Sequence, residues 1–227
     1  MDGILVVDKP QDWTSHDVVD FMRNKFGLKK VGHAGTLDPM ATGVLVMLIG
    51  KCTKLSGSFI TDDKEYEGVL TLGAESDTGD ARGKISDSGK QVNYSKTEIE
   101  DVFKNFLGDI EQHPPIYSAV KIKGRKLYEC ARRGIDVVTT PRKICIKSIE
   151  ITDIKLPEVS FKVTCSKGTY IRSLAVDIGK KLGSGAYLSK LNRTRSGRFK
   201  IGEAFGIDRI KSISVAELEK ALITCES

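Results

Sequence analysis

The sequence contains no Cys-x-x-Cys pair, no His-Glu-x-x-His run and no lysine in the spacing of a GxxxxGK[ST] phosphate loop. Its three histidines, His16, His33 and His113, are too dispersed to suggest a zinc site, so no metal is indicated. The glycines do not follow GxGxxG either, which leaves a nucleotide-binding reading without support. No apolar run approaches the roughly twenty residues that span a bilayer. The opening MDGILVVDKP has neither a basic n-region nor a cleavage pattern, so no membrane is expected and the cytoplasm is the expected location. The five cysteines are odd in number and widely spaced, and they read as reduced, mostly buried thiols.

What remains is a chain of 227 residues, long enough to bury a full core, with a net charge of +6. That basic excess suits an anionic partner and equally suits a merely basic soluble enzyme. ILVV at Ile4–Val7 reads as a strand, followed by a turn and a helix over about 16–26 with Ser15 as its cap. GVLVMLIG from Gly43 reads as a buried strand, and KEYEGVLTLG from Lys64 alternates as a half-buried strand should. Ser95 caps a helix to about Phe106, and a Pro-Pro segment from His113 leads through a short strand into a basic helix ended by Gly134. Two longer strands, a helix over GTYIRSLAVDIGKKLG and the strand-like YLSKLNRTRSGRFKIG follow. Strands and helices do not alternate strictly. The pattern predicts α+β, with a central mixed, mostly antiparallel sheet flanked by helices and loops.

GHAGTLDPMATG, Gly32 to Gly43, sets one carboxylate, Asp38, in a run of small and turn-forming residues. Three glycines and a proline predict a tight, exposed turn held by the strand after it. On local pattern alone an Asp before Pro reads first as a turn cap. A rigid loop carrying one acid also suits catalysis.

Six segments in order carry a resemblance. GILVVDKPQDWTSHDVV, KVGHAGTLDPMATGVL, KEYEGVLTLGAESDTGD, PPIYSAVKIKGRKLYECARRG, CSKGTYIRSLAVDIG and LNRTRSG resemble the motifs of the TruB family, the bacterial tRNA pseudouridine(55) synthases, over nearly the whole chain. The resemblance implies the pseudouridine synthase fold and isomerisation of the T-loop uridine at position 55 of tRNA, with the base flipped out of its loop. It implies Asp38 as the essential carboxylate, attacking C1′ of the ribose or C6 of the base, or assisting a glycal intermediate. All three routes stay open. A carboxylate serves each while ionised at neutral pH, and no cofactor is required.

By the same resemblance Arg172 pairs with the aspartate, and Tyr66 stacks on the target base and handles the C5 proton. Tyr170 and Leu191 line the uracil pocket, and His33 stacks against the opened T-loop. As pattern alone, Tyr66 is a strand aromatic, Tyr170 and Leu191 could equally be ordinary core, and Arg172 could be a helix-surface residue, but its place after Ile171 and before Leu174, beside the apolar face, makes a partly buried pair reasonable. Basic residues from Lys121 to Arg133, with Arg193, Arg195 and Arg198, are expected to contact phosphates. The catalytic domain is expected over 1–200, with an RNA-gripping insertion at about 113–142 that orders on RNA binding. A short tail over 201–227 is too small for a complete PUA-like domain. The partner is the tRNA T-arm, with a monomer and no obligate protein partner expected. The rival readings are an RNA-binding or tRNA-folding protein on the same fold, and a synthase acting on another RNA.

Overall fold

The computed structural model describes residues 1–118, 120–122, 125–133 and 139–225. The chain divides into two compact units, one formed by 1–67 with 191–227 and the other by 68–190. The first begins with β1 (Gly3–Lys9), α1 (Ser15–Phe26), β2 (Val31–Ala34) and β3 (Thr42–Ile49). A 3-10 turn and the short α2 (Ser56–Ile60) lead to β4 (Lys64–Leu72), which runs on into the second unit. There follow β5 (Ala74–Ser76), β6 (Ile85–Asp87), α3 (Lys96–Lys104) and β7 (Gly108–Gln112). Next come β8 (Lys121–Ile122), β9 (Arg125–Lys126) and α4 (Leu127–Arg132), then β10 (Arg142–Lys155), β11 (Glu158–Cys165) and α5 (Ile171–Leu182). β12 (Ala186–Ser196) returns the chain to the first unit, completed by β13 (Phe199–Lys200), β14 (Phe205–Gly206), α6 (Ile207–Ser212) and α7 (Val215–Ala221).

In the first unit the strand order is β14-β1-β3-β12, with β2 also on β3 and β13 on β12. In the second it is β4-β11-β10-β7. The β1–β3, β2–β3, β12–β13, β10–β11 and β10–β7 pairs are antiparallel, whereas β1–β14 and β3–β12 are parallel. The architecture is therefore α+β with a mixed, mostly antiparallel sheet, as expected. Among the described residues no helix is long and apolar enough to cross a membrane.

The reasons are local. β3 lacks alternation because both its faces are covered, and Val44 to Ile49 are fully buried. Each such side chain contributes roughly 1.5–3 kcal/mol of burial. One face joins Ile4, Val6, Ala34, Cys52 and Phe199 in a single apolar cluster. β4 is buried at alternate positions, which its sequence announces. Ser95 caps α3 in a capping box with Glu98, as read. α1 starts one residue earlier than expected, because Thr14 is the cap and Asp17, three residues on, closes the box. Ser15 turns inward instead.

Cys52 and Cys225 are joined in a disulfide, which corrects the expectation of five reduced thiols. They lie 173 residues apart, and the pairing of Ile223 with Ile4 brings the C-terminal segment beside β1. Spacing along the chain carries no trace of that. Cys130, Cys145 and Cys165 are not joined in a disulfide.

Candidate active site

Asp38 is half-buried in the loop between β2 and β3, and the backbone around it is fixed residue by residue. Leu37 N–H donates to Ser15 Oγ at 2.9 Å, and that hydroxyl donates back to Leu37 O at 3.3 Å. Pro39 O accepts from Asp12 N–H at 2.8 Å and from Lys9 Nζ at 3.4 Å. The Asp38 carbonyl accepts from Ala41 N–H at 3.0 Å, closing a turn. Asp12 has φ 67°, a left-handed conformation that Asp tolerates better than most residues. Of the loop, Thr36 is exposed while Leu37, Met40 and Ala41 are buried, so the turn is tight as expected but mostly sunk into the unit. Asp38 thus has little freedom beyond its own side-chain torsions.

Lys9 is fully buried beneath this loop. Its ammonium donates to Trp13 O at 2.6 Å and Pro10 O at 2.8 Å, as well as to Pro39 O. Burial pushes its pKa down to about 8, and the negative charge of Asp38 opposes that fall. Above the loop's stems, Arg193 donates Nε to Val44 O at 2.7 Å and Nη2 to Gly35 O at 2.9 Å.

His33 lies on β2 opposite Met47, and its pKa is lowered first by burial and then by the positive charges of Arg193 and His16. Its Nδ1 is buried without a hydrogen-bond partner. Tyr66 on β4 and Leu191 on β12 are both buried. These residues and Asp38 belong to the first unit, whereas Tyr170 and Arg172 belong to the second. Tyr170 is the residue preceding α5, and buried Gln112 clasps its backbone, accepting from N–H at 2.8 Å and donating to the carbonyl at 3.0 Å.

Arg172 is not on the surface of α5 but 3% exposed. It donates to Thr78 O and Tyr117 O, each at 3.0 Å, and its Nε lies 3.6 Å from Asp80 Oδ2. Asp80, itself buried, also accepts from Thr78 Oγ1 at 2.8 Å and Arg82 N–H at 3.0 Å. Breaking such a buried pair by removing one partner costs about 3–5 kcal/mol, so the guanidinium is held in one orientation.

The family model described as "TruB family pseudouridylate synthase (N terminal domain)" matches residues 23–171. The chain belongs to the TruB family. A second model, "tRNA pseudouridylate synthase B C-terminal domain", matches residues 172–226. The tRNA pseudouridine synthase B of Opitutus terrae is 45% identical over 98% of this chain and 92% of its own length. That of Shouchella clausii is 48% identical over 95% of this chain and 73% of its own. Among solved structures, a chain of a Cbf5-Nop10-Gar1 complex is 32% identical with a TM-score of 0.76, covering 99% of this chain and 60% of that one.

Within this TruB framework, sequence reasoning missed Lys9, Ser15, Asp80, Gln112 and the placement of Arg193. Asp80 had a signal, since it ends the quoted SDTGD run. Lys9, Ser15 and Arg193 also lie within the resembling segments, but nothing there marks them as buried, and Gln112 lies outside them; a lysine or glutamine reads as surface until tertiary burial is known. Arg193, expected among the phosphate contacts, is 1% exposed and bonded to carbonyls, so it cannot serve there. Arg195 is half-buried 3.9 Å from Glu65, while Arg198 is exposed beside the Phe199 ring. Arg125 and Arg133 are exposed. Gly134, expected to end the basic helix, lies outside the described residues, as do 119, 123, 124 and 135–138 of the expected insertion.

Proposed function

We propose that this pseudouridylate synthase acts on tRNA, converting the T-loop uridine at position 55 to pseudouridine with Asp38 as the essential carboxylate. The observation that carries this reading is the loop itself. The Asp38 carboxylate stands half-exposed between two backbone positions, Leu37 and Pro39, that are both hydrogen-bonded to α1 and the turn before it. Fixing an anion so firmly has little use for stability and suits a group that must meet a reacting atom in one geometry. The relatives named tRNA pseudouridine synthase B supply the substrate.

The uridine swings out of the T-loop, since its reacting atoms are inaccessible while stacked. The C1′–N1 bond breaks, the uracil turns within the pocket, and C1′ bonds to C5. The C5 proton then leaves and N1 gains one, so the product is an isomer of the substrate and no redox partner is needed. Asp38 assists at C1′, at C6 or in forming a glycal. Tyr66 stacks on the base and handles the C5 proton, Tyr170 and Leu191 line the uracil pocket, and His33 stacks against the opened loop. Arg172 supplies the positive partner of Asp38 in the complex. The protein works as a monomer in the cytoplasm, gripping RNA through the segment 113–142.

Release of tritium from C5-labelled uridine in an unmodified tRNA transcript tests the reading. Native protein should release it and Asp38→Asn, at equal folded concentration, should not. Release by neither, with tRNA still bound, would sink the catalytic reading in favour of an RNA-folding role.

A further inference from the structure

Arg193 ranks among the largest fully buried side chains of the protein. Among the described residues no carboxylate pairs with it, and its acceptors are the carbonyls of Val44 and Gly35. Lys9 and His33 both feel it as an unfavourable positive charge. A buried cation satisfied only by peptide oxygens is a poor stabilising device. Its two acceptors explain it better, because Gly35 and Val44 are the two stems of the loop that carries Asp38. One planar guanidinium reaches both with separate, divergent donors, which the point charge of a lysine cannot do.

The strand geometry agrees. In the parallel β3–β12 pair Arg193 stands opposite Gly43. Gly43 has φ +101°, and a Cβ there would lie 2.3 Å from Arg193 O and 2.4 Å from Asn192 Oδ1. Only glycine allows the loop's outgoing stem to approach β12 so closely. We propose that Arg193 is a positioning residue for Asp38, its guanidinium tying the two stems of loop 35–44 together and so fixing where the carboxylate points. The proposal rests on Asp38 being the catalytic carboxylate.

Arg193→Lys and Arg193→Gln separate the fork from the charge, with Asp38→Asn as control. Single-turnover pseudouridine formation at saturating unmodified tRNA, per folded protein, should fall at least about thirtyfold in both variants, with the tRNA Kd within about threefold of native. In an NMR titration His33 should keep its native midpoint in Arg193→Lys and move up in Arg193→Gln, where the repelling charge is gone.

A rate within about threefold of native in Arg193→Lys, with Asp38→Asn inactive, overturns the positioning role and leaves Arg193 as packing. A rate that survives at saturation while Kd weakens overturns it in favour of an RNA contact. An unmoved His33 midpoint in Arg193→Gln overturns the placement of the charge. Activity in Asp38→Asn removes the premise, a failure distinguishable from the others because it does not depend on Arg193. If neither variant folds, the native protein still decides: the Arg193 Nε–H must exchange with solvent at least about a hundredfold more slowly than those of exposed arginines, and equal exchange overturns the fork.

Discussion

The loop bearing Asp38 and the segment from His113 to Arg133 are built on opposite plans. Around Asp38, side chains distant in sequence reach in to hold backbone atoms: Ser15 at Leu37, Lys9 at Pro39, Arg193 at Gly35 and Val44. From 113 to 133 the described bonds are mainly local. β8 and β9 form a hairpin of two residues a side, Leu127 N–H donates to Val120 O at 2.8 Å, and α4 has six residues. Its described outside ties include Ser173 to His113 O, Arg172 to Tyr117 O, and His113 Nδ1 beside Thr139. Many long-range ties fix a group to within fractions of an ångström. A locally closed segment can reshape against a partner without disturbing the core. The difference suits the proposed division between chemistry and grip.

The sharpest test is Asp38→Asn, which should lower tritium release by at least about 10³-fold while leaving tRNA affinity within about threefold. Next is Ser15→Ala. It deprives the buried Leu37 N–H of its acceptor and should cost about 1–3 kcal/mol in denaturant melts. Its single-turnover rate should fall about tenfold to a hundredfold; an unchanged rate would show that the loop does not need its ties.

The segment proposed to grip RNA should behave conversely. Arg125→Ala with Arg133→Ala should weaken tRNA binding and reduce the slope of log Kd against log salt by roughly two, with the rate at saturating tRNA untouched. A salt slope equal to native would remove those arginines from the interface. The smallest effect is a pH dependence of stability. His33 has its folded pKa lowered below 6.5, so between that value and 6.5 the unfolded chain holds a proton the folded protein rejects. Its contribution is present above pH 6.5 and lost as pH falls. Native protein should therefore lose slightly more stability than His33→Gln on acidification from pH 7 to 5, and parallel curves would contradict the burial of its ring.

Legibility followed burial pattern. The unbroken apolar run of β3, the alternation of β4 and the Ser95–Glu98 box are each periodic or local signals, and each yields the element it promises. Thr14 and Ser15 are two adjacent hydroxyls, and only the spacing to Asp17 shows which is the cap. Arg193, Arg195 and Arg198 look alike in sequence but sit buried, half-buried and exposed: Arg193 and Arg195 share a face of β12, but the alternation of burial ends at Arg195, where the pairing with β13 begins, and Arg198 stands in the turn between the two strands. The residues that hold Asp38 in place were hidden for the same reason. Their acceptors are backbone carbonyls, and a carbonyl leaves no mark in the residue alphabet.

The first unit is assembled from both ends of the chain, and this orders events during synthesis. Residues 68–190 form an uninterrupted stretch and leave the ribosome before Arg193 does. The strand that pairs with Gly43, and the guanidinium that spans the stems of the Asp38 loop, are therefore made long after the loop itself. A nascent chain stopped at residue 190 carries the acid without its β12 anchor, so the carboxylate proposed for catalysis is set only when the last parts of the first unit have been made.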